Sequence, residues 1–91
     1  MEYSIPERLN AVNAGEVEQE LLQKIRAAKS DNVICDFSNT TYISSAGLRI
    51  MLVASKEMKK NGGKFTLRGM NEDIYAIFKM AGFHTIIDIQ Q

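Results

Sequence analysis

The sequence predicts an α/β domain, in which a mixed, mainly parallel sheet of about four strands has helices packed on it. Segments with strand-like apolar patterns alternate along the chain with segments whose apolar residues recur at helical spacing. Such an alternation needs crossover connections, which are right-handed and join parallel strands. The chain has 91 residues, 45% hydrophobic and 24% charged, which is enough for one such domain and too few for two.

Four segments are predicted strands. Residues 3–5 alternate apolar and polar side chains, and Pro6 limits the continuation of this strand. Residues 33–37 form a nearly continuous apolar run, which is typical of a strand covered on both faces. Residues 64–68 alternate again, and residues 85–89 are the last predicted strand.

Three segments between these strands are predicted helices. The first begins at Asn13, with Glu16 three residues later as in a capping box. Its apolar stripe consists of Val17, Leu21, Leu22, Ile25 and Ala28. The second follows Ser44 and Ser45 and is apolar around most of its first turns, which predicts burial on most sides. The third begins with Asn71 as its cap.

Composition and charge exclude several classes of protein. Eleven basic and eleven acidic residues cancel without forming long blocks, so no nucleic-acid partner is expected. The apolar runs are short, so we expect no signal peptide, no membrane span and a cytoplasmic location. One histidine and one cysteine, Cys35, are too few for a metal site, and Cys35 is predicted to be a buried thiol. No glycine-rich phosphate-binding motif is present, and no cofactor is expected.

Hydroxyl groups are concentrated between residues 36 and 48, where a predicted strand is followed by a loop and a helix. Residues 38–43 are rich in turn formers and predict the loop. Functional groups of parallel α/β sheets collect at the carboxyl ends of strands, so this is the candidate site. A phosphate on a serine at the helix start would meet N–H groups without intrahelical partners and a favourable helix dipole. The simpler alternative is that Ser44 or Ser45 only caps the helix.

Two segments of this region carry a resemblance to a known family. They are Asp36-Phe37-Ser38 and the run Tyr42-Ile43-Ser44-Ser45-Ala46-Gly47-Leu48-Arg49, which leads into the apolar helix. Together they resemble the central signature of the STAS family of anti-sigma factor antagonists. Residues 8–14 and 65–83 are similar to other parts of the family, so the resemblance covers most of the chain and implies a STAS domain over residues 1–91.

The resemblance implies a partner-switching cycle. The unmodified antagonist binds an anti-sigma factor and thereby frees a sigma factor. The anti-sigma factor is commonly a serine kinase that phosphorylates and so releases the antagonist, until a phosphatase restores it. The family's phosphorylated residue maps onto Ser45 and its glycine onto Gly47, whereas Ser44 replaces an acidic residue and is a second candidate acceptor. The residues expected to contact the partner are Asp36, Ser38, Tyr42, Ser44, Ser45, Ala46, Gly47 and Arg49.

Two alternative functions compete with the antagonist role. A STAS domain without phosphorylation would act as a scaffold or as a regulatory subunit of a transport or signalling complex. A hydrolase is suggested by the chain order of Ser45, Asp73 and His84, but the glycine-flanked nucleophile elbow is missing, so we expect no enzyme. The family usually has one more strand before residues 3–5, and this sequence is too short to hold all of it. An exposed sheet edge is therefore expected, and with it a monomer or a weak homodimer.

Overall fold

Four of the described strands alternate with three helices along the chain, as the sequence predicts, and two further short strands interrupt this order. The computed structural model describes residues 1–29 and 31–90; Ser30 and Gln91 lie outside the described residues. The elements are β1 (Glu2–Ser4), β2 (Arg8–Leu9), α1 (Ala14–Ala28), β3 (Val33–Asp36), β4 (Tyr42–Ile43), α2 (Ser45–Asn61), β5 (Phe65–Arg68), α3 (Glu72–Met80) and β6 (Asp88–Gln90). A short 3₁₀ turn, Phe83–Thr85, connects α3 to β6.

The main sheet has four strands in the order β1-β3-β5-β6, and each neighbouring pair is parallel. In its central register Tyr3 lies opposite Cys35, Cys35 opposite Leu67, and Leu67 opposite Ile89. The predicted fold class is therefore confirmed. Among the described strands, β1 is at one edge of this sheet.

The prediction that residues 33–37 are covered on both faces is wrong. Val33 and Cys35 are fully buried, whereas Ile34 and Asp36 between them are only half-buried. Successive side chains of a strand point to opposite faces of the sheet. The helices therefore cover the face that carries Val33 and Cys35, and the other face is partly open.

A second, two-stranded sheet has one of its strands, β4, in the segment that the sequence predicts to be a loop, and the other, β2, before α1. In it β2 pairs with β4 in parallel, with Arg8 opposite Tyr42 and Leu9 opposite Ile43. The N–H of Ser44 continues this pairing by donating to the carbonyl oxygen of Leu9 at 2.9 Å. The end of the loop is thus fixed to the segment before α1, which sets where α2 begins.

Helix α1 buries the predicted stripe, apart from Leu22, which is half-buried. The predicted capping box at its start is wrong, because the Asn13 side chain does not bond to an N–H group of the first turn. It accepts a hydrogen bond from the Asn10 N–H at 2.9 Å and donates to the Arg8 carbonyl at 2.7 Å. Asn13 therefore stabilises the loop between β2 and the helix.

Helix α2 is buried along one stripe and not on most sides, which corrects the prediction for this helix. The stripe consists of Gly47, Ile50, Met51, Ala54 and Met58, at helical spacing. Leu48, Leu52 and Val53 on its flanks are half-buried. The apolar side chains of the first turns thus pack on the core along one side of the helix, and those beside this stripe are partly exposed.

Helix α3 is attached to the carboxyl end of β3 through aromatic side chains. The Asn71 side chain caps α3 as predicted, accepting from the Ile74 N–H at 2.8 Å. Phe78 of α3 packs edge-on against Phe37, with ring centroids 5.7 Å apart, and against Phe83 at 5.5 Å. These contacts hold the start of the candidate site against the core.

Candidate functional site

Asp36 and Ser38 form a closed hydrogen-bonded turn at the carboxyl end of β3. Asp36 Oδ1 accepts from the backbone N–H of Ser38 at 2.9 Å and from the Ser38 hydroxyl at 2.5 Å. The hydroxyl and then the N–H of Ser38 lower the pKa of the Asp36 carboxyl below its usual value, and the charge of Arg68 adds to this effect. Asp36 is therefore a carboxylate at neutral pH.

Gly69, in the loop between β5 and α3, lies directly against this turn. Its φ is +77°, and a Cβ atom there would come within 2.6 Å of Ser38 Oγ and 2.8 Å of Asp36 Oδ1. A side chain at this position would therefore strain the backbone and force the side chains of Ser38 and Asp36 to move. The sequence alone does not single out Gly69, because its contacts with Asp36 and Ser38 arise only when β3 and β5 pair.

Thr40 is the buried anchor of the loop. Its hydroxyl donates to the Pro6 carbonyl at 2.9 Å, and its own carbonyl accepts from the Asn71 side chain at 3.3 Å. Only 2% of Thr40 is exposed, which is unusual for a loop threonine. Nothing in the sequence distinguishes Thr40 from its exposed neighbours, because its partners are more than 30 residues away in the chain.

Tyr42 is presented to the outside next to an arginine. It is 42% exposed, and the guanidinium carbon of Arg8 lies 4.5 Å from the centre of its ring. This distance is typical of a cation–π contact. The pairing of β2 with β4 places the two residues side by side, so Arg8 belongs to the candidate site although the prediction did not include it.

The two serines at the start of α2 have different environments. Ser44 is the N-cap, with an extended backbone, and its Oγ accepts from the Gly47 N–H at 3.3 Å. Ser45 is the first residue of the helix and is exposed. The capping role expected of one of the serines therefore belongs to Ser44, and the Ser45 side chain faces solvent.

Gly47 is buried beneath the small β2–β4 sheet. A Cβ atom at this position would lie 2.8 Å from Ile43 Cγ1, 2.8 Å from Leu9 Cγ and 3.0 Å from Leu9 Cδ2. Carbon atoms in normal contact are about 3.5–4.0 Å apart. The absence of a side chain is what lets α2 pack this closely on β2 and β4.

The predicted site residues differ in how far they are exposed to solvent. Ser38, Tyr42, Ser45 and Arg49 are exposed, whereas Asp36, Ser44 and Ala46 are half-buried and Gly47 is buried. The candidate site is thus an exposed surface formed by the end of β3, the loop, β4 and the first turns of α2. Their contact with a partner stays a prediction.

The described part of the chain holds no group of three or more metal-ligating side chains. Within the same residues, no helix combines the length and the apolar character needed to cross a bilayer. The chemical groups that this surface offers are hydroxyls, the Asp36 carboxylate, one aromatic ring and two guanidinium groups.

Comparison with known sequences identifies the family of the chain. The model of the STAS domain matches residues 1–91. BtrV of Bordetella bronchiseptica is 30% identical over 81 residues, which are 89% of this chain and 69% of BtrV. The anti-sigma-B factor antagonist of Bacillus subtilis is 31% identical over 78 residues, covering 86% of this chain and 71% of that protein.

Solved structures show the same fold at low sequence identity. The anti-sigma factor antagonist SpoIIAA in its unphosphorylated form superimposes with a TM-score of 0.82 at 13% identity, covering 99% of this chain and 78% of SpoIIAA. The phosphorylated form of SpoIIAA, from Bacillus, gives a TM-score of 0.74 at 13% identity, covering 99% of this chain and 81% of SpoIIAA. The fold and the family match over the whole sequence agree, and the chain belongs to the STAS domain family.

Proposed function

We propose that this chain is an anti-sigma factor antagonist controlled by phosphorylation of Ser45. In its unmodified form it binds an anti-sigma factor that is also a serine kinase, and so frees a sigma factor. Phosphorylation of Ser45 by that kinase ends the binding, and a phosphatase restores it. The names of its relatives support the antagonist role, since the Bacillus subtilis protein is an anti-sigma-B factor antagonist.

The observation that carries the proposal is the division of roles between the two serines. Because the Ser44 oxygen already accepts a hydrogen bond from Gly47, capping does not require the Ser45 hydroxyl. Ser45 is exposed at the first position of α2, where an incoming phosphate donor can reach it. This arrangement favours Ser45 over Ser44 as the acceptor.

The position of Ser45 also favours the phosphorylated product. The first N–H groups of a helix lack intrahelical acceptors, and the helix dipole attracts negative charge there. No acidic residue lies in the first turn of α2 to oppose the phosphate. Related support comes from the fold, because SpoIIAA has been solved in a phosphorylated form.

Phosphorylation would change the charge of the surface more than its shape. A phosphate adds about two negative charges at pH 7. Three exposed residues and one half-buried apolar residue lie within eight positions of one another, in β4 and the first turns of α2. They are Tyr42, Ser45 and Arg49, and Leu48. The added charge would repel acidic groups of a partner that packs on this surface, and burial of the phosphate against apolar groups of the partner would cost its hydration energy.

The test uses the cognate anti-sigma factor kinase, ATP and variants at both serines. Intact-mass spectrometry should show one added phosphate on the wild type and on Ser44→Ala, and none on Ser45→Ala. In calorimetry without ATP, Ser45→Asp should bind the anti-sigma factor at least tenfold more weakly, whereas Ser45→Ala keeps the wild-type affinity. A phosphate on Ser45→Ala, or equal affinities of Ser45→Asp and Ser45→Ala, would contradict the proposal.

A further inference from the structure

We infer that Arg49 binds the phosphate of phosphorylated Ser45 across one turn of α2, and so acts as a positioning residue for the switch. The inference rests on the proposed function, because it concerns the phosphate that the kinase adds there. It assigns to Arg49 a regulatory contact within the chain, in addition to its predicted contact with the partner.

The spacing of the two residues permits the contact. Both lie in α2, Ser45 at its first position and Arg49 four residues later. Residues four apart in a helix are neighbours on one face, and an acidic group placed N-terminal to a basic one at this spacing is the favourable order. Both side chains are exposed, so neither has to leave the core to meet the other.

Arg49 is also available, because it makes no ion pair with another described residue. The ion pairs among the described residues join Glu57 to Lys60, Asp88 to Lys64, and Glu2 to Arg68. Arg49 takes part in none of them, nor in the hydrogen bonds between described side chains. Arg8, the other arginine of the site, already stacks on the Tyr42 ring.

The chemistry of the two groups suits a specific contact. The planar guanidinium group can donate two parallel hydrogen bonds to a phosphate, and these are stronger than hydrogen bonds between neutral groups. A phosphate held this way would lie along the first turn of α2, over the exposed side of the helix. It would also withdraw Arg49 from the partner surface, so that phosphorylation removes a cation from that surface while adding negative charge.

The test is a titration of the phosphate itself. The chain is produced with phosphoserine genetically encoded at position 45, and the phosphorus resonance is followed by NMR from pH 4 to pH 8. The second pKa of a phosphoserine is about 6, and a bound arginine lowers it because it favours the doubly charged form. Arg49→Gln should raise this pKa by about 0.3 pH unit relative to the otherwise wild-type phosphoprotein.

Lys56→Gln is the matched control, since it removes the same charge from the same exposed side of α2. Lys56 is eleven residues from Ser45, about 16 Å along the helix, which exceeds the Debye length of about 8 Å at physiological salt. It should leave the pKa unchanged. No shift with Arg49→Gln, an equal shift with Lys56→Gln, or a larger shift with Arg8→Gln would each overturn the inference.

The titration and the kinase experiment test separate claims, so one claim can be refuted while the other stands. The encoded phosphoserine does not require the kinase, so the contact with Arg49 can be present even if the kinase modifies another residue. Conversely, phosphorylation of Ser45 by the kinase without any effect of Arg49→Gln on the pKa would leave the proposed function intact and refute the contact.

Discussion

A methyl group at Gly47 should destabilise the fold, although glycine is a poor helix former. The added Cβ would come within 2.8–3.0 Å of atoms of Ile43 and Leu9, roughly 0.7 Å too close. Leu9 is fully buried and Ile43 is 6% exposed, and the atoms struck lie near the branch points of both side chains. Relief therefore requires movement of β2 or β4 rather than a simple change of rotamer.

The size of the effect follows from two opposing contributions. Overpacking a core typically destabilises a protein by about 1–3 kcal/mol. Replacing a helical glycine by alanine stabilises it by about 0.5–1 kcal/mol. For Gly47→Ala we expect a net loss of about 1 kcal/mol, which corresponds to a decrease in Tm of about 4–8 °C for a domain of this size.

Gly15 provides the matched control for this experiment. It lies in α1, is exposed, and has no atom within 4 Å of the position of a Cβ. Gly15→Ala should therefore raise the stability by a few tenths of a kcal/mol up to about 1 kcal/mol. Urea unfolding of both variants measures the difference between a crowded and an open glycine in the same protein.

A double variant separates collision from other causes. Leu9→Ala removes both of the Leu9 atoms that the new methyl group would strike, at a cost of about 2–5 kcal/mol on its own. In that background Gly47→Ala should lose most of its penalty, because only the contact with Ile43 remains. A Gly47→Ala protein as stable as Gly15→Ala, or a penalty unchanged in the Leu9→Ala background, would refute the explanation.

Two further predictions concern the serines and the aspartate of the site. Ser44→Ala removes the N-cap of α2 and should reduce the free energy of unfolding by about 1 kcal/mol. Ser45→Ala, at the exposed first position of the helix, should change the free energy of unfolding by less than about 0.5 kcal/mol. Equal losses for the two variants in urea unfolding would mean that Ser44 does not cap the helix. The lowered pKa of Asp36 means that its hydrogen bonds stabilise the fold above its unfolded pKa of about 3.9, and that this contribution is lost as the pH falls through the folded value. The difference in free energy of unfolding between the wild type and Ser38→Ala should therefore shrink below about pH 4. A difference that stays constant from pH 7 to pH 2 would show that the hydrogen bond from Ser38 to the Asp36 carboxylate does not cause it.

The sequence predicts the main sheet and the helices well because their signals are local. Apolar periodicity over a single segment identifies α1, α2 and α3, and their alternation with short apolar runs implies parallel pairing. The Asn71 cap was also predictable, since the cap and the N–H group that it accepts are three residues apart. Each of these inferences uses only residues that are neighbours in the chain.

The second sheet and the buried Thr40, which the sequence does not reveal, depend on contacts between residues far apart in the chain. The pairing of β2 with β4 joins residues 34 positions apart, and each strand has only two residues, which is too short for any alternation to be visible. Asn13 is a different case, because its side chain bonds to Asn10 and Arg8, three and five residues away, in place of the expected cap. The pairing of β2 with β4 is also what places Arg8 beside Tyr42 in the candidate site.

Ser44 lies where the resemblance to the family places an acidic residue, and this difference has separate consequences for structure and for charge. Serine and aspartate are about equally good N-cap residues, so the oxygen that accepts from the Gly47 N–H is retained. What changes is the charge beside Ser45, because a carboxylate at position 44 would repel a phosphate on the next residue. With a neutral serine there, the nearby charge on α2 is the cation of Arg49, and no acidic residue lies in the first turn. The substitution therefore keeps the helix start and makes its surroundings more favourable to a phosphate on Ser45.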